Sequence, residues 1–406
     1  MAKDIFSAIK VSDHVWWVGA VDWNIRDFHG YSTDQGSTYN AYLILADKVT
    51  LVDTVKASFK DELLARISSV IDPRKIDYII SNHAEPDHAG CLAEVAAVVQ
   101  PEKIFASKMG VKNLKAHFHQ DLNLVPVASG EELSLGNLTV QFLETRMLHW
   151  PDSMFTYLVD EGILFTSDAF GMHLAGSARF DDEVDHWEYE AAKYYANILL
   201  PYSGLVTKLL DQVDQMALPI KVLAPDHGFI WREDLQRIQS LYRRWAKQAP
   251  TNKVIVTYDS MWGSTAKMAT AIMEGLRAGG AVIKVMDLKV SHRSDVVTEL
   301  LEAGGLIVGS STLNNGILPR VADFLTYLRG LRPKNLLTLA FGSYGWSGES
   351  VGKIEEELSG MGLAPVDEGI KSLFVPDQDV LGACFDAGKG FAARLQQTIN
   401  EGEELA

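Results

Sequence analysis

The stretch SNHAEPDHAG, residues 81–90, brings two imidazoles and two carboxylates into six positions: His83, Glu85, Asp87 and His88. These are metal-binding side chains. The spacing His-x-Glu-x-Asp-His cannot put all four on one face of a regular strand or helix. It fits a loop at a strand end, where the chain can wrap around ions. A lone histidine beside apolar sequence is usually a satisfied core or surface group; two histidines and two acids in six residues are a different case. Three more candidates stand at expected strand ends: His149 in MLHWPDS, Asp168 in LFTSDAFG and His227 in APDHG. Four histidines and three carboxylates exceed the needs of one ion. If Asp168 bridges, each of two metals receives two histidines and two carboxylates, with positions left open for a bridging oxygen and a substrate. Imidazole suits zinc, copper, iron or nickel, and carboxylate favours harder ions. The mixture suits a non-haem di-iron pair.

A second group of residues has phosphate- and ring-binding chemistry. SMWGST, residues 260–265, lies between an expected strand and helix. Ser260, Ser264 and Thr265 supply hydroxyls; Met261, Trp262 and Gly263 complete the loop. The helix N-terminus adds backbone N–H groups and the positive end of a dipole. The lysine of a P-loop and the G-x-G-x-x-G fingerprint are both missing. Such a loop can also be a plain helix cap, but two others follow strands of the same half. Residues 309–319, GSSTLNNGILP, offer Ser311, Thr312, Asn314, Asn315 and Gly316. Residues 341–350, FGSYGWSGES, offer Ser343, Tyr344, Gly345, Trp346 and Gly348, with Tyr344 and Trp346 as flat surfaces for a ring. All three loops would meet at the carboxyl edge of a parallel sheet, where doubly wound folds bind ligands.

The elements that must position these groups change grammar along the chain. Up to about residue 250, β-branched and aromatic runs outnumber helices and often follow one another directly, which predicts two sheets with helices outside. The 83–88 cluster follows the strand-like IDYII. A long helical pattern covers roughly 187–212. QAPTNK, residues 248–253, is a polar break. Beyond it five strands alternate with five helices, the pattern of a parallel sheet wrapped on both faces. The expected fold class is therefore α+β over residues 1–250 and α/β over 251–406.

Bulk properties narrow the function. A chain of 406 residues is too long for one ordinary core. The net charge of −16 argues against nucleic acid or an anionic membrane as partner. Two cysteines, Cys91 and Cys384, form no framework and no iron–sulfur motif. The start, MAKDIFSAIKVSD, lacks a signal-peptide core, and no apolar run is long enough to span a bilayer. The expected location is cytoplasmic.

With these residues assembled, the first half resembles the metallo-β-lactamase fold, an αββα sandwich with metals on loops at strand ends. Its zinc hydrolases carry His-x-His-x-Asp-His; Glu85 replaces the second histidine here. That change resembles the flavodiiron proteins (A-type flavoproteins), and the second half resembles flavodoxin in the domain order of that family. The resemblance covers essentially the whole chain, in a form without a rubredoxin module or flavin-reductase extension. It implies that His83, Glu85 and His149 bind one iron, that Asp87, His88 and His227 bind the other, and that Asp168 bridges. It implies two irons and one FMN per chain. His29 and Tyr195 match positions near the iron pair and are candidates to donate a hydrogen bond or proton; their plainer reading is a loop histidine and a helix packing residue. His117, His119, His173, His186 and His292 match no ligand position.

The same resemblance implies an oxidoreductase that takes O2 to water with four electrons, or two NO to N2O and water with two. The external donor would be rubredoxin or, as in some archaeal members, a deazaflavin. It also implies a head-to-tail homodimer, or a dimer of dimers, that sets each FMN against the partner's irons. Two competing classes remain on sequence: a dinuclear metal hydrolase, against which Glu85 and the flavin half stand, and a flavin carrier or sensor with a decayed metal site, against which the complete ligand set stands.

Overall fold

Alternating β-branched and aromatic residues at the start of the chain pair into a mixed sheet. In the computed structural model, which describes residues 5–404, this sheet has seven strands in spatial order β1 (Ile9–Lys10), β2 (Val15–Trp17), β3 (Tyr42–Ile44), β4 (Thr50–Val52), β5 (Tyr78–Ser81), β6 (Lys103–Ser107) and β7 (Leu124–Val127). Pairing is antiparallel from β1 to β4 and parallel from β4 to β7. Residues 1–4, part of the start read above as free of a leader, lie outside the described residues.

A second sheet runs β8 (Glu132–Ser134), β9 (Thr139–Glu144), β10 (Met154–Leu158), β11 (Ile163–Phe165) and β12 (Val222–Ala224), antiparallel except for the parallel β11–β12 pair. The period-two alternation of strands explains how the two sheets share a core. Tyr42, Ile44, Val52, Ile80 and Phe105 pack with Val140, Phe142, Met154 and Phe165 in one cluster. Their strand neighbours Leu43, Leu51, Ile79 and Ile104 turn to the opposite face, onto Leu63, Ile67, Leu92, Val95 and Leu114 of the covering helices. The first sheet is thus buried on both faces, and the metal-type residues emerge where its strands and those of the second sheet end.

Three local features add to the sequence pattern. The metal motif is not all loop: Asp87 and His88 lie on a short helical turn, Pro86–Ala89, started by Pro86 at its first position. The long helical stretch is helical but not one regular α-helix: it runs as Glu188–Tyr194, a π-turn Tyr195–Leu199, a 3-10 turn Leu200–Tyr202 and Ser203–Met216. Pro201, which has no N–H to donate, sits at the break. A helix that sequence reading passed over, Lys108–Phe118, is capped by Ser107, whose hydroxyl accepts from Gly110 N.

The last strands form a five-stranded parallel sheet: β13 (Lys253–Asp259), β14 (Val282–Asp287), β15 (Gly305–Ser310), β16 (Leu337–Tyr344) and β17 (Ile370–Leu373), in spatial order β14-β13-β15-β16-β17. The strand order reverses beside β13, the switch point at which such sheets bind ligands. Each strand is followed by a helix, as the alternation predicts. By internal contacts the chain divides into two compact units, one of residues up to 29, 33–194 and 204–243, the other of 30–32, 195–203 and 244 onward. Among the described residues no helix is long and apolar enough to cross a membrane.

Candidate metal centre and flavin cavity

β5 delivers the first ligand-type residues. Asn82, just past its end, holds the loop: its N and Nδ2 donate to the two oxygens of Asp53, both at 2.7 Å, and its Oδ1 accepts from Thr156. His83 and Glu85 leave this loop, and Asp87 and His88 follow on the turn. The structure brings all seven predicted residues into two groups, His83/Glu85/His149/Asp168 and Asp87/His88/His227. Six of them are buried; His149 is partly so.

Asp168 faces both groups. Its Oδ2 lies 3.5 Å from His83 Nε2 and 3.4 Å from His149 Nε2. Its Oδ1 lies 3.3 Å from His88 Nε2 and 3.6 Å from His227 Nε2. Glu85 Oε2 stands 3.1 Å from both His83 Nε2 and His149 Nε2. Asp87 meets His88 at 3.4 Å and His227 at 3.2 Å. Ligands at about 2.1 Å from a shared ion, at angles between octahedral and tetrahedral, stand roughly 3.0–3.4 Å apart. The spacings therefore fit two ions with one bridging carboxylate.

Hydrogen bonding tells the same story. Both oxygens of Asp87, both nitrogens of His88 and Oδ2 of Asp168 are buried without a hydrogen-bond partner among the described residues. An interior tolerates such a cluster only when something else satisfies it. The electrostatics agree. Burial acts against the imidazolium of His83, yet Asp152, Glu85 and Asp168 outweigh it and raise the group to about 10. His149 is raised to about 9, against its burial, by Asp168 and Glu85. Burial acts against the carboxylates of Glu85 and Asp168 too, but the surrounding histidines hold both well below the usual range. The site is built for positive charge, which a pair of metal cations supplies.

Groups behind the ligands fix their orientation. Asp152 accepts from Ala84 N at 2.7 Å and faces His83 Nδ1 at 3.2 Å. His227 Nδ1 donates to Thr38 O at 2.6 Å. Tyr194 donates its hydroxyl to Asp168 Oδ1 at 2.8 Å, and burial keeps that hydroxyl protonated. His173, which matched no ligand position, is buried with its ring 4.7 Å from that of His227. None of Asp152, Thr38 and Tyr194 was singled out on sequence. The signal for Asp152 was its place three residues after His149.

His29 does reach the cluster: its Nε2 is 3.1 Å from Glu85 Oε1, and its side chain is 74% exposed. Tyr195 lies in the other compact unit. Its hydroxyl lies 3.1 Å from Ser203 Oγ and its ring packs on Trp245; it is the adjacent Tyr194 that bonds Asp168.

In the other unit a cavity of about 490 Å³ opens at the carboxyl edge of the parallel sheet. Of the predicted residues it is lined by Met261, Trp262, Ser264, Ser311, Thr312, Asn314, Asn315, Ser343, Tyr344, Gly345 and Trp346. Ser260, Gly263, Thr265, Gly316 and Gly348, also expected there, are not among its lining residues. Leu313, Ser347, Phe374 and Val375 also line it and were missed. At its floor, Thr265 Oγ1 lies 3.0 Å from Ser311 Oγ and 2.9 Å from Ser343 Oγ. The helix Ser264–Ala278 starts there after Gly263, at φ 86°, without a side-chain cap. Its free N–H groups and the three hydroxyls fit a phosphate. At the mouth, Trp262 is 93% and Trp346 90% exposed.

A β-lactamase-like metal centre joined to a flavodoxin sheet defines a class of redox flavoprotein, and comparison with known proteins agrees. Residues 38–228 match the ODP family beta lactamase description and residues 256–388 match Flavodoxin. The chain is 48% identical to a nitric oxide reductase of Moorella thermoacetica, over 95% of this chain and 98% of that one. Among solved structures, the rubredoxin oxygen:oxidoreductase of Desulfovibrio gigas superposes with a TM-score of 0.95 at 45% identity, covering 97% of this chain and all of that one. The flavodiiron protein of Giardia intestinalis gives 0.94 at 35% identity, covering 97% and 98%. The chain belongs to the flavodiiron family of oxidoreductases, with an FMN and a non-haem di-iron pair as cofactors. The hydrolase alternative is set aside.

Proposed function

We propose that this chain reduces O2 to water, NO to N2O, or both, at an iron pair held by His83, Glu85, His149, Asp87, His88, His227 and bridging Asp168. The observation that carries the reading is Asp168, whose two oxygens face the two ligand groups separately. The relatives' names supply the substrates: one is a nitric oxide reductase, another a rubredoxin oxygen:oxidoreductase. When bound, the irons supply the reducing centre and FMN replenishes its electrons.

The chain's own residues prepare the site. Glu85, Asp87 and Asp168 balance the metals' charge. Tyr194 keeps a proton against Asp168 Oδ1. His29, exposed and touching Glu85, is placed to pass protons inward from solvent. Ser311 and Ser343, with Thr265 bonded to both, would hold the FMN phosphate, and Trp262, Tyr344 and Trp346 would flank its ring. Residues 1–250 form the di-iron domain and 251–406 the FMN domain.

Electrons come from rubredoxin or another external donor. The active form is a head-to-tail homodimer or a dimer of dimers. The exposed Trp262, Trp346, Phe374 and Val375 support this, since an apolar rim of that kind marks a binding surface. Sedimentation showing a fully active monomer would refute the assembly. The function is tested by giving reduced rubredoxin to iron- and FMN-loaded protein and following O2 and NO on separate electrodes. Faster O2 loss without peroxide identifies an oxygen scavenger, and faster NO loss with N2O formed identifies a nitric oxide detoxifier. Loss of neither gas, with flavin reduction confirmed, rejects the reading.

A further inference from the structure

Two buried polar groups of the metal-binding unit, His88 Nδ1 and the Asp226 carboxylate, face each other, and neither has a hydrogen-bond partner among the described residues. His88 turns Nε2 toward Asp87 and Asp168, so its Nδ1 points away from the cluster. That Nδ1 has no hydrogen bond among the described residues. It faces Asp226, whose Oδ2 is 3.6 Å away. Asp226 is wholly buried, at 0% exposure, and neither carboxylate oxygen has a hydrogen-bond partner among the described residues. An unmade donor and an unmade acceptor side by side in a dry interior are each costly, and each is what the other lacks.

The main chain of Asp226 is pinned among the ligand segments. Its N–H donates to Ser167 O at 2.8 Å, one residue before Asp168, and its C=O accepts from Asn40 N at 2.7 Å. Its next neighbour is His227. One residue therefore touches the segment of the bridging carboxylate, precedes one histidine of the second group and faces the other.

We propose that Asp226 is the positioning residue of the second metal: its carboxylate accepts the Nδ1–H of His88, fixes the tautomer that leaves Nε2 free to bind, and ties the orientation of His88 to that of His227. This rests on the reading that the two groups hold a metal pair. At 3.6 Å the pair stands just outside hydrogen-bonding distance, and metal loading is the event that closes it. Asp152 does the same for His83 at 3.2 Å, so the two metals are backed by separate aspartates.

The test compares wild type, Asp226→Asn and Asp226→Leu, each loaded anaerobically with ferrous iron, with the iron counted and its release to a ferrous chelator timed. FMN content and near-UV circular dichroism report on the fold. We expect Asp226→Leu to release one of its two irons about 10–100-fold faster than wild type and the other unchanged. Asp226→Asn, which keeps an acceptor, should restore most of the difference. Wild-type release of both irons from the leucine variant, or equal acceleration of both, overturns the proposal. Should the leucine variant not fold, zinc-loaded protein labelled with ¹⁵N-histidine decides. In wild type the His88 Nδ1–H proton should resonate far downfield and shift upfield in Asp226→Asn. An unchanged signal overturns the proposal. Wild type that takes up no second metal rejects the metal-pair reading itself.

Discussion

The metal cluster and the flavin cavity solve opposite problems. The cluster is closed: six of its seven ligand-type residues are buried, and among the described residues several of their polar atoms have no hydrogen-bond partner. The cavity is open: its hydroxyls already bond one another, and its aromatic rim stands in solvent. A site with orphaned polar atoms gives up hydrogen-bond energy for affinity toward one kind of charged ligand. A site whose polar atoms are already satisfied, with flat apolar walls, accepts a large ligand by area and shape. The first should be sensitive to every residue, the second to a few.

That contrast can be broken in order of size. Asp168→Ala removes the one carboxylate shared by both groups. Iron content should fall from two per chain toward none, with activity down a hundredfold or more. Retention of both irons would show that the groups are independent. Glu85→His recreates the donor pattern of the zinc hydrolases. Metal analysis after growth with both ions should show zinc displacing iron; an unchanged ratio would mean that Glu85 does not select the metal.

Effects at the cavity should be smaller. Thr265→Val leaves Ser311 and Ser343 without their shared partner, at a cost of about 1–3 kcal/mol. FMN titration by fluorescence should show affinity weakened roughly 5–150-fold. Trp346→Ala removes one exposed wall, worth about 0.5–1.5 kcal/mol. FMN should bind several-fold more weakly while the apoprotein melts at an unchanged temperature. A larger loss than for Thr265→Val would reverse the ranking of floor and rim. The smallest effect concerns the thiols. Burial raises Cys91 and pushes Cys384 up to about 11. Both thiols are thus shifted away from the reactive thiolate and both are buried, so a thiol reagent at pH 8 should label neither in the folded protein and leave both cofactor sites intact. Rapid labelling of either would show that the fold opens there.

The same contrast explains what the sequence disclosed. All seven ligand-type residues were legible, because metal chemistry restricts residue type and they stand at strand ends. The groups behind them were not. Asp226 and Asp152 look like ordinary turn acids until the fold sets them behind His88 and His83. Tyr194 and Tyr195 differ by one position, about 100° around a helix, and nothing in the pair of tyrosines says which turns toward Asp168. Near the flavin cavity the strand-to-loop rule found most of the lining. It missed Phe374 and Val375 because IKSLFV reads as uninterrupted strand. The structure ends the strand at Leu373 and turns Phe374 to φ 54°, bringing both residues to the cavity. The helix Lys108–Phe118 escaped because its sequence is polar and carries Gly110 in the first turn.

The central claim, that the closed site reduces the gas and the open site feeds it, has one direct test. Protein loaded with FMN alone and protein loaded with FMN and iron are each fully reduced without oxygen, then mixed with limiting O2, and peroxide and consumed electrons are counted. The account predicts four electrons per O2 and no peroxide from the doubly loaded protein, and slow, peroxide-forming oxidation from the flavin-only form. Equal peroxide yields from both would contradict it.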